Sequence, residues 1–382
     1  MRNYMSKNLK SSNALFLAIV IGCLSSFYLV QNKYLAIGII VAPLLIAFAT
    51  RFFSSKMNGL SLYVLFYMLF MAFTQLLVLR DFESLSFLFT VFSFFVFLMV
   101  YKNKDKKELI IISKCIIVFI IVIGIIDTIY RFNNPVSGPY YTGIHFFYKF
   151  KGKGLLYIDT NNTGMLMLSA ICFYHYLKSK KIAISPFLYT LLLALLILTF
   201  SRACYIGYAL FLFIFSKKIP TFLKIVGSLA AVLYLLLNVN VSGIDDISLQ
   251  SKFAIYEKAA NYFLDENIFK QLIGIGMGNS IEKFGIYTHS WLLTYSVEAG
   301  WVGFVLSFFM FALIVRESKE TLKLIVPYLI AGLSFYPVFN PYFYCFLALV
   351  LCFESRALAT SKEKVPSKAN NFRRINGIST SY

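Results

Sequence analysis

The sequence predicts an all-α polytopic integral membrane protein, whose helices cross a lipid bilayer many times. Hydrophobic residues make up 59% of the 382-residue chain, and charged residues only 14%. A water-soluble domain of this length has too little interior to bury so much apolar surface. Apolar stretches of roughly 15–22 residues recur from Ala14 to Phe353, which is the length that a membrane-spanning helix needs. The whole chain, residues 1–382, is therefore interpreted as one transmembrane domain.

About twelve apolar segments have this length. They lie near residues 13–30, 34–50, 58–79, 84–101, 110–130, 163–178, 184–200, 203–216, 221–239, 290–314, 324–338 and 341–354.

Basic residues predict the orientation of these segments, because they gather in alternate breaks. The basic breaks are Arg2–Lys10, Arg51–Lys56, Lys102–Lys107, Lys178–Lys181, Lys217–Lys218, Arg316–Lys323 and Arg356–Arg374. Short cytoplasmic loops carry an excess of lysine and arginine, so we expect both termini in the cytoplasm and residues 355–382 as a basic cytoplasmic tail. The net charge of +19 is thus explained by membrane orientation, and no nucleic-acid partner is predicted.

Residues 184–216 allow two interpretations. Two short apolar runs flank Ser201-Arg202-Ala203, and a single long helix is conceivable. A single helix would move the Lys217–Lys218 and Arg316–Lys323 clusters to the outer side, against the basic bias. The pattern therefore favours a hairpin whose tip, with Arg202, faces the periplasm.

This topology leaves two larger loops on the periplasmic side, at residues 131–162 and 240–288. Prolines and glycines predict an irregular first loop. In the second loop one helical face is apolar, which predicts an amphipathic helix lying on the membrane or over a cavity. The residues of that face are Leu249, Phe253, Tyr256, Ala260 and Phe263.

His289 is the first candidate for chemistry, since it precedes an apolar run at the water-facing side. An imidazole there can titrate near neutral pH and accept a proton from a sugar hydroxyl. Glu298 follows inside the same run, where a carboxylate is costly unless it is paired or functional. Gly300 and Gly303 would allow close packing about three and four turns into the helix. The alternative is an interfacial histidine beside packing glycines.

Arg202 is the second candidate, because a guanidinium at a hairpin tip can hold a phosphate or diphosphate with two hydrogen bonds. The alternative is an arginine that anchors the interface. Lysines on the same side would attract an anionic lipid carrier, or would simply be solvated. These lysines are Lys149, Lys151, Lys153, Lys252 and Lys258.

Asparagines at the start of the run near 163–178 are weaker candidates. Asn162, within Asp159–Gly164, could bind sugar hydroxyls, although capping of the next helix is the competing interpretation. His145 and His175 have no visible partners and are interpreted as structural. The six cysteines lie singly in or beside apolar runs without metal-ligand spacing, so neither a metal site nor a disulfide framework is predicted.

Four motifs in order resemble the superfamily of O-antigen ligases and Wzy-type polymerases, which assemble bacterial surface polysaccharides. They are Asp159–Gly164, Thr199–Arg202, the glycine-rich run Gly274–Asn279, and His289-Ser290 followed by Glu298, Gly300 and Gly303. The resemblance is specific over roughly residues 155–305. The arginine that the family often places in the loop helix is replaced by Lys252, whose point charge weakens the case for a second diphosphate clamp.

The resemblance implies a glycosyltransferase of the GT-C-like architecture that needs no metal or other cofactor. It would act on undecaprenyl-diphosphate-linked oligosaccharides at the periplasmic face of the bacterial inner membrane. Arg202 would bind the donor diphosphate and His289 would activate the acceptor hydroxyl. Substrate contacts would come from Asn162, Ser290, Glu298 and the loop lysines Lys151, Lys153, Lys252 and Lys258.

Three functions remain open from the sequence. The preferred one is a polymerase of O-antigen or other surface polysaccharide repeat units, for which a chain-length regulator and a flippase would be partners. A ligase would use the same chemistry with lipid A–core as its acceptor. A transporter or flippase is the alternative of another class, but transporters favour a polar site at the middle of the membrane.

Overall fold

The structure is a computed structural model of the chain. It describes residues 57–78, 82–102, 104–137, 143–152, 154–155, 159–224, 226–227, 247–335 and 340–363. The predicted spans 13–30 and 34–50, most of 221–239, and most of the basic tail lie outside these ranges.

The described residues form helices joined by short connections. The α-helices are α1 Gly59–Val78, α2 Phe82–Tyr101, α3 Lys106–Asn133, α4 Thr160–Ser179, α5 Pro186–Leu198, α6 Arg202–Phe215, α7 Ile247–Asp265, α8 Ile268–Ile273, α9 Ser280–Phe284, α10 Trp291–Leu293, α11 Gly300–Glu317, α12 Leu322–Gly332 and α13 Pro341–Glu363. Shorter turns complete the set: 3-10 helices at Gly143–Phe150 and Lys319–Thr321, and a π-helical turn at Thr294–Glu298. No β-strand occurs in the described ranges, where one isolated bridge pairs Gly152 with Asp159. The all-α prediction is confirmed.

Within the described ranges, two helices are long and apolar enough to cross a membrane by themselves, judged by length and composition. They are α3, with 28 residues, and α11, with 18 residues. Shorter apolar stretches are Gly59–Thr74, Thr90–Tyr101, Pro186–Leu198 and Arg202–Phe215. The number of twelve spans stays a prediction.

α3 illustrates how the sequence builds such a helix. Asp105 caps its first turn, since Asp105 Oδ1 accepts from the Glu108 backbone N–H at 2.7 Å and Glu108 Oε2 accepts from the Asp105 N–H at 3.1 Å. This reciprocal pair satisfies two of the backbone donors that a helix start leaves unpaired. The apolar run that follows buries one face and leaves large aliphatic side chains exposed on the other. The exposed ones are Ile111, Val118, Val122, Ile125, Ile126 and Ile129.

The core lies where α13 packs against α2, α4 and α12. Aromatic rings interlock there: Phe343 stacks on Tyr328 with ring centres 3.8 Å apart, and Phe346 stacks on Phe173 at 4.6 Å. Rings bury much apolar area each, so these contacts contribute strongly to packing.

Residues 184–216 form the predicted hairpin. The hydroxyl oxygens of Tyr189 on α5 and Tyr208 on α6 are 2.7 Å apart, and the Tyr205 hydroxyl donates to the Ile197 carbonyl. In one continuous helix Tyr189 and Tyr208 would be separated by about 28 Å. The chain therefore reverses at Thr199–Ser201, and the single-helix alternative is wrong.

Four of the basic breaks meet at one end of the helix bundle, which we call the charged end; they are those at Lys102–Lys107, Lys178–Lys181, Arg316–Lys323 and the start of the tail at Arg356. Lys180 Nζ pairs with Glu354 at 2.7 Å and with Glu320 at 3.5 Å, while Lys323 Nζ pairs with Glu320 at 2.5 Å. Arg356 Nη2 donates to the Lys102 carbonyl at 3.2 Å. The prediction that these breaks share one side agrees with this arrangement.

Three details of the predicted elements are wrong. The span 290–314 is not one helix, because the π-helical turn and a backbone break at Gly300 separate α10 from α11. The span 324–338 ends early, at Gly332. The first loop is not wholly irregular, because it contains the 3-10 helix Gly143–Phe150.

The apolar face predicted for the second loop's helix differs from the buried one, although Phe263 of the predicted face does pack on the same core; the side chain of Leu249 lies outside the described part of the structure. The buried side chains of α7 are Ile255, Ala259 and Tyr262, whereas Ala260 is exposed and Tyr256 is 38% exposed. The face is rotated because α7 packs on protein, in a small core with Phe284, Leu293 and Val297.

Candidate functional site

A fully buried ion pair closes the end of the bundle opposite the charged end. Asp127 and Arg131 lie one turn apart on α3, and both side chains are completely shielded from solvent. Arg131 Nε donates to Asp127 Oδ2 at 2.9 Å. Arg131 Nη1 donates to the carbonyl oxygens of Phe150 at 3.0 Å and Leu198 at 3.1 Å. One guanidinium thus ties the 3-10 helix and the end of α5 to α3.

Neither member of this pair stands out in the sequence prediction, where Arg131 only marks the start of a loop. The signal was an aspartate and an arginine four residues apart at the end of an apolar run. Ionisable groups in such a run are costly unless paired, so their spacing could have identified them.

Arg202 begins α6, next to the reversal of the hairpin. Arg202 Nη2 donates to the Tyr148 hydroxyl at 2.7 Å, and the guanidinium carbon lies 6.0 Å from the centre of the Tyr148 ring. Lys151 Nζ lies 5.0 Å from the same ring centre. The arginine side chain is exposed, and the first turn of a helix adds positive potential to it. The arrangement can attract an anion such as a phosphate.

The start of α4 holds the hairpin tip in place. The Thr160 hydroxyl donates to the Thr199 carbonyl at 2.9 Å, and the Ser201 hydroxyl donates to Asn161 Oδ1 at 2.8 Å. Asp159 Oδ1 accepts from the Asn161 backbone N–H at 2.8 Å, which is the geometry of a helix cap. The motif therefore does cap the next helix, but the capping residue is Asp159 and not an asparagine.

Asn162, the predicted sugar-binding residue, lies one position further along α4. Its Oδ1 atom is buried and has no hydrogen-bond partner among the described residues. The hairpin contact is made by Asn161 instead, a role that the sequence motif did not distinguish from that of its neighbour.

His289 stands just before α10, with a φ of +50°. Its ring contacts the rings of Tyr287 and Phe335, at 6.0 and 5.6 Å between centres. Burial lowers the pKa of His289 below its ordinary value of 6.5; the Asp159 carboxylate opposes this shift, and the charge of Lys252 adds to it. The imidazole is therefore neutral near pH 7, as a general base must be.

The Asp159 carboxylate acts to raise the pKa of His289, and Asp159 also lies at the start of α4, beside the hairpin tip. Asp159 caps the helix whose first turn binds the hairpin tip through Asn161, and Arg202 follows directly after that tip. We call this region, from the buried Asp127–Arg131 pair to His289, the site end.

The predicted substrate-binding lysines of the second loop make contacts within the protein. Lys252 Nζ donates to the Ser334 hydroxyl, and Lys258 Nζ donates to the Phe284 carbonyl at 2.6 Å. Lys252 is near His289, whereas Lys258 links α7 to the end of α9. Lys153, a predicted substrate-binding lysine of the first loop, lies outside the described residues.

Ser290 is buried beside His289. Its hydroxyl lies 3.2 Å from the hydroxyl of Tyr256 on α7. This contact joins the residue before α10 to α7. The Ser290 hydroxyl therefore has a partner within the protein.

Gly274 and Gly300 meet back to back, with φ values of +80° and +71°. A β-carbon on Gly274 would lie 2.3 Å from the Glu298 carbonyl oxygen, and one on Gly300 would lie 2.3 Å from the Leu272 carbonyl oxygen. Only glycine permits this approach. The position predicted for Gly300, inside a helix, is wrong, since it starts α11. Gly303 does lie in α11, where a β-carbon would meet Ala299 Cβ at 2.6 Å.

Glu298 is enclosed, with 1% of its surface exposed. Its Oε2 atom accepts from the Gly278 backbone N–H at 2.8 Å, and its Oε1 atom accepts from the Thr288 hydroxyl at 2.9 Å. The carboxylate predicted to contact substrate thus binds the glycine-rich run and the residue before His289.

His175 has a partner that the sequence did not reveal. Its Nε2 atom lies 3.1 Å from the Tyr208 hydroxyl, within the aromatic contacts of α4, α5 and α6. This agrees with a structural role. The side chain of His145 lies outside the described part of the structure.

No group of three histidine, cysteine, aspartate or glutamate side chains that could hold a metal ion occurs within the described ranges. No protein-family model matches the sequence, and no curated protein is significantly similar to it.

Proposed function

We propose that the chain is a membrane glycosyltransferase that polymerises repeat units of a surface polysaccharide from a polyprenyl-diphosphate-linked donor. The observation that supports this most is that Arg202 follows Ser201, whose hydroxyl binds Asn161 at the start of α4, while Asp159, which caps the same helix, acts to raise the pKa of His289. An exposed guanidinium and a largely buried neutral imidazole are the two groups that such a transfer requires. The resemblance of the four motifs to the O-antigen polymerase and ligase superfamily supports the same assignment.

The two ends of α4 support a transmembrane arrangement. Helix α4 begins at the site end and reaches the charged end at Ser179, and its 20 residues extend over about 30 Å. This distance matches the hydrocarbon core of a bilayer. With the charged end in the cytoplasm, the site end faces the periplasm of the inner membrane. Twelve spans and a GT-C-like architecture belong to this proposal.

In the proposed reaction the acceptor hydroxyl oxygen attacks the anomeric carbon of the donor sugar. The hydroxyl proton passes to the imidazole of His289 as the new glycosidic bond forms. The bond between the anomeric carbon and the diphosphate breaks, and the lipid diphosphate leaves with the bonding electrons. Arg202 stabilises the charge that develops on the departing diphosphate.

Replacement of the base tests the proposal. His289→Ala should lower transfer by roughly 100- to 10,000-fold, the contribution typical of a general base. Cells carrying the variant should keep a normal protein level and single-repeat lipid intermediates but make no polymer. His145→Ala is the matched control and should leave the chain length unchanged. Normal polymer from His289→Ala would refute the assignment of the base.

The surface glycan of a deletion strain separates the candidate functions. Core carrying a single repeat indicates a polymerase. Long chains stranded on the carrier lipid indicate a ligase, which transfers finished glycan to lipid A–core. An unchanged glycan profile favours a transporter of another substrate.

A further inference from the structure

Glu298 lies at the centre of a buried hydrogen-bond network. Its two carboxylate oxygens face two donors, the Gly278 N–H at 2.8 Å and the Thr288 hydroxyl at 2.9 Å. The Glu298 backbone carbonyl also accepts, from the Gly276 N–H at 2.9 Å. One residue therefore binds both the glycine-rich run and the segment that leads into α10.

Thr288, the residue before His289, is held by further hydrogen bonds besides that to Glu298. Its hydroxyl also lies 2.9 Å from the Thr294 hydroxyl, and its backbone N–H donates to the Ser280 hydroxyl at 3.2 Å. Thr288, Thr294 and Ser280 are all buried. A side chain and a backbone donor thus fix Thr288 from two directions.

His289 follows immediately and adopts a φ of +50°. A residue with a β-carbon rarely adopts this left-handed conformation, which persists only where the surroundings determine it. The direction of the imidazole depends on this backbone conformation. The network around Glu298 lies where it can impose that conformation.

We propose that Glu298 is a positioning residue, which holds Thr288 against the glycine-rich run and thereby sets the direction of the His289 side chain. Both carboxylate oxygens face donors of the protein and the side chain is buried, so it does not contact substrate. The catalytic consequence rests on the proposed function, but the structural restraint on His289 does not.

Two substitutions of Glu298 distinguish the positioning role from an effect of side-chain size or of side-chain charge. Glu298→Gln keeps an oxygen for the Gly278 N–H, and its amide can donate to the Thr288 hydroxyl, which then donates to Thr294. Glu298→Ala removes both contacts. Thr288→Val keeps the shape of the side chain and removes only the hydroxyl, so it tests the same link without a cavity. Glu282→Ala, at an exposed glutamate of α9, is the matched control.

The titration of the His289 imidazole can be measured directly, because the chain has only three histidines. NMR of the full-length chain in detergent, with labelled histidine, follows each titration; the His289 signal is the one that disappears in His289→Asn. The charged or titratable groups around it are Asp159, which caps α4, Lys252 on α7 and the nearby Tyr287. None of these is altered by the substitutions.

Glu298→Ala and Thr288→Val should move the titration midpoint of His289 upward toward 6.5, because the released ring gains solvent. Glu298→Gln and Glu282→Ala should keep the wild-type midpoint. An unchanged midpoint in both Glu298→Ala and Thr288→Val would overturn the proposal. The midpoint of Thr288→Val alone decides the question if Glu298→Ala does not fold.

A transfer assay with a polyprenyl-diphosphate-linked glycan measures the catalytic consequence. Glu298→Ala should reduce transfer by roughly 100-fold, the loss typical of a misplaced catalytic group, and Glu298→Gln should restore most of it. A wild-type chain that transfers no glycan would refute the proposed function, while the histidine titration would still test the restraint.

Discussion

The two ends of α4 are stabilised by different kinds of interaction. At the charged end, Lys180 pairs with Glu320 and Glu354, and all three side chains are partly exposed. At the site end, Arg131 and Asp127 are paired without any exposure, and the guanidinium also binds two backbone carbonyls. Partly exposed ion pairs fix which helix ends meet, at little energetic gain. A buried pair fixes the positions of the chain segments that it joins, and it does so beside Arg202.

The largest expected effect is at the buried pair. Asp127→Ala leaves the Arg131 charge without its carboxylate and should lower the free energy of unfolding by about 3–5 kcal/mol. Thermal unfolding of the purified protein measures this loss. The double variant Asp127→Ala/Arg131→Met removes both charges and should be more stable than the single variant. A single variant as stable as the wild type would remove the contrast between the two ends.

A smaller loss of stability is expected at the contact between the backbones of Gly274 and Gly300. Gly300→Ala must accommodate a β-carbon at a φ of +71° and next to the Leu272 carbonyl. The strain should cost about 1–3 kcal/mol of stability. Gly59→Ala is the matched control, because a β-carbon there meets nothing within 4 Å. Equal stability of the two variants would show that the contact between Gly274 and Gly300 is unimportant.

The exposed hydrogen bond from Arg202 to Tyr148 at the site end gives a still smaller effect. Tyr148→Phe removes the hydroxyl that accepts from Arg202 but keeps the ring. The activation free energy of transfer should rise by about 0.5–1 kcal/mol, which lowers the rate roughly two- to fivefold. The dependence of the rate on donor concentration measures it, and Tyr130→Phe, at the exposed ring of α3, serves as the control. A loss as large as that of His289→Ala would mean that Tyr148 takes part in the chemistry.

The smallest effect belongs to the charged end. Lys180→Ala breaks partly exposed pairs, so it should lower stability by only about 0.2–1 kcal/mol. Thermal unfolding at low and high salt checks the value, since salt should diminish the difference between variant and wild type. A loss comparable with that of Asp127→Ala would contradict the distinction between the ends.

Local patterns predicted much of the architecture. The positions of the Lys217–Lys218 and Arg316–Lys323 clusters favoured a reversal at Ser201-Arg202 over one continuous helix, and the structure has that hairpin. The basic clusters likewise predicted which helix ends lie together, and Asp159 was placed correctly at a helix start. Each of these features can be recognised in short stretches of the sequence, without knowledge of contacts between distant segments.

The rest depended on contacts between distant segments. Gly300 breaks a helix because Gly274 lies against it, and no periodicity around Gly300 reveals that neighbour. Arg131 binds backbone carbonyls, which every residue carries, so the sequence does not mark its partners. The buried face of α7 is rotated from the predicted one because the surface that it covers is formed by other parts of the second loop.

The contact between Gly274 and Gly300 also has a consequence for the order in which the protein forms. Both glycines belong to the stretch that runs from the end of α7 to the first residue of α11, and this stretch emerges from the ribosome as one short segment. Contacts between segments near in sequence need little loop-closure entropy and form early. The segment that carries His289 can therefore assemble by itself as it is synthesised, whereas the surroundings of Arg202 come from a part of the chain made earlier. The two halves of the site end would then meet as preformed pieces.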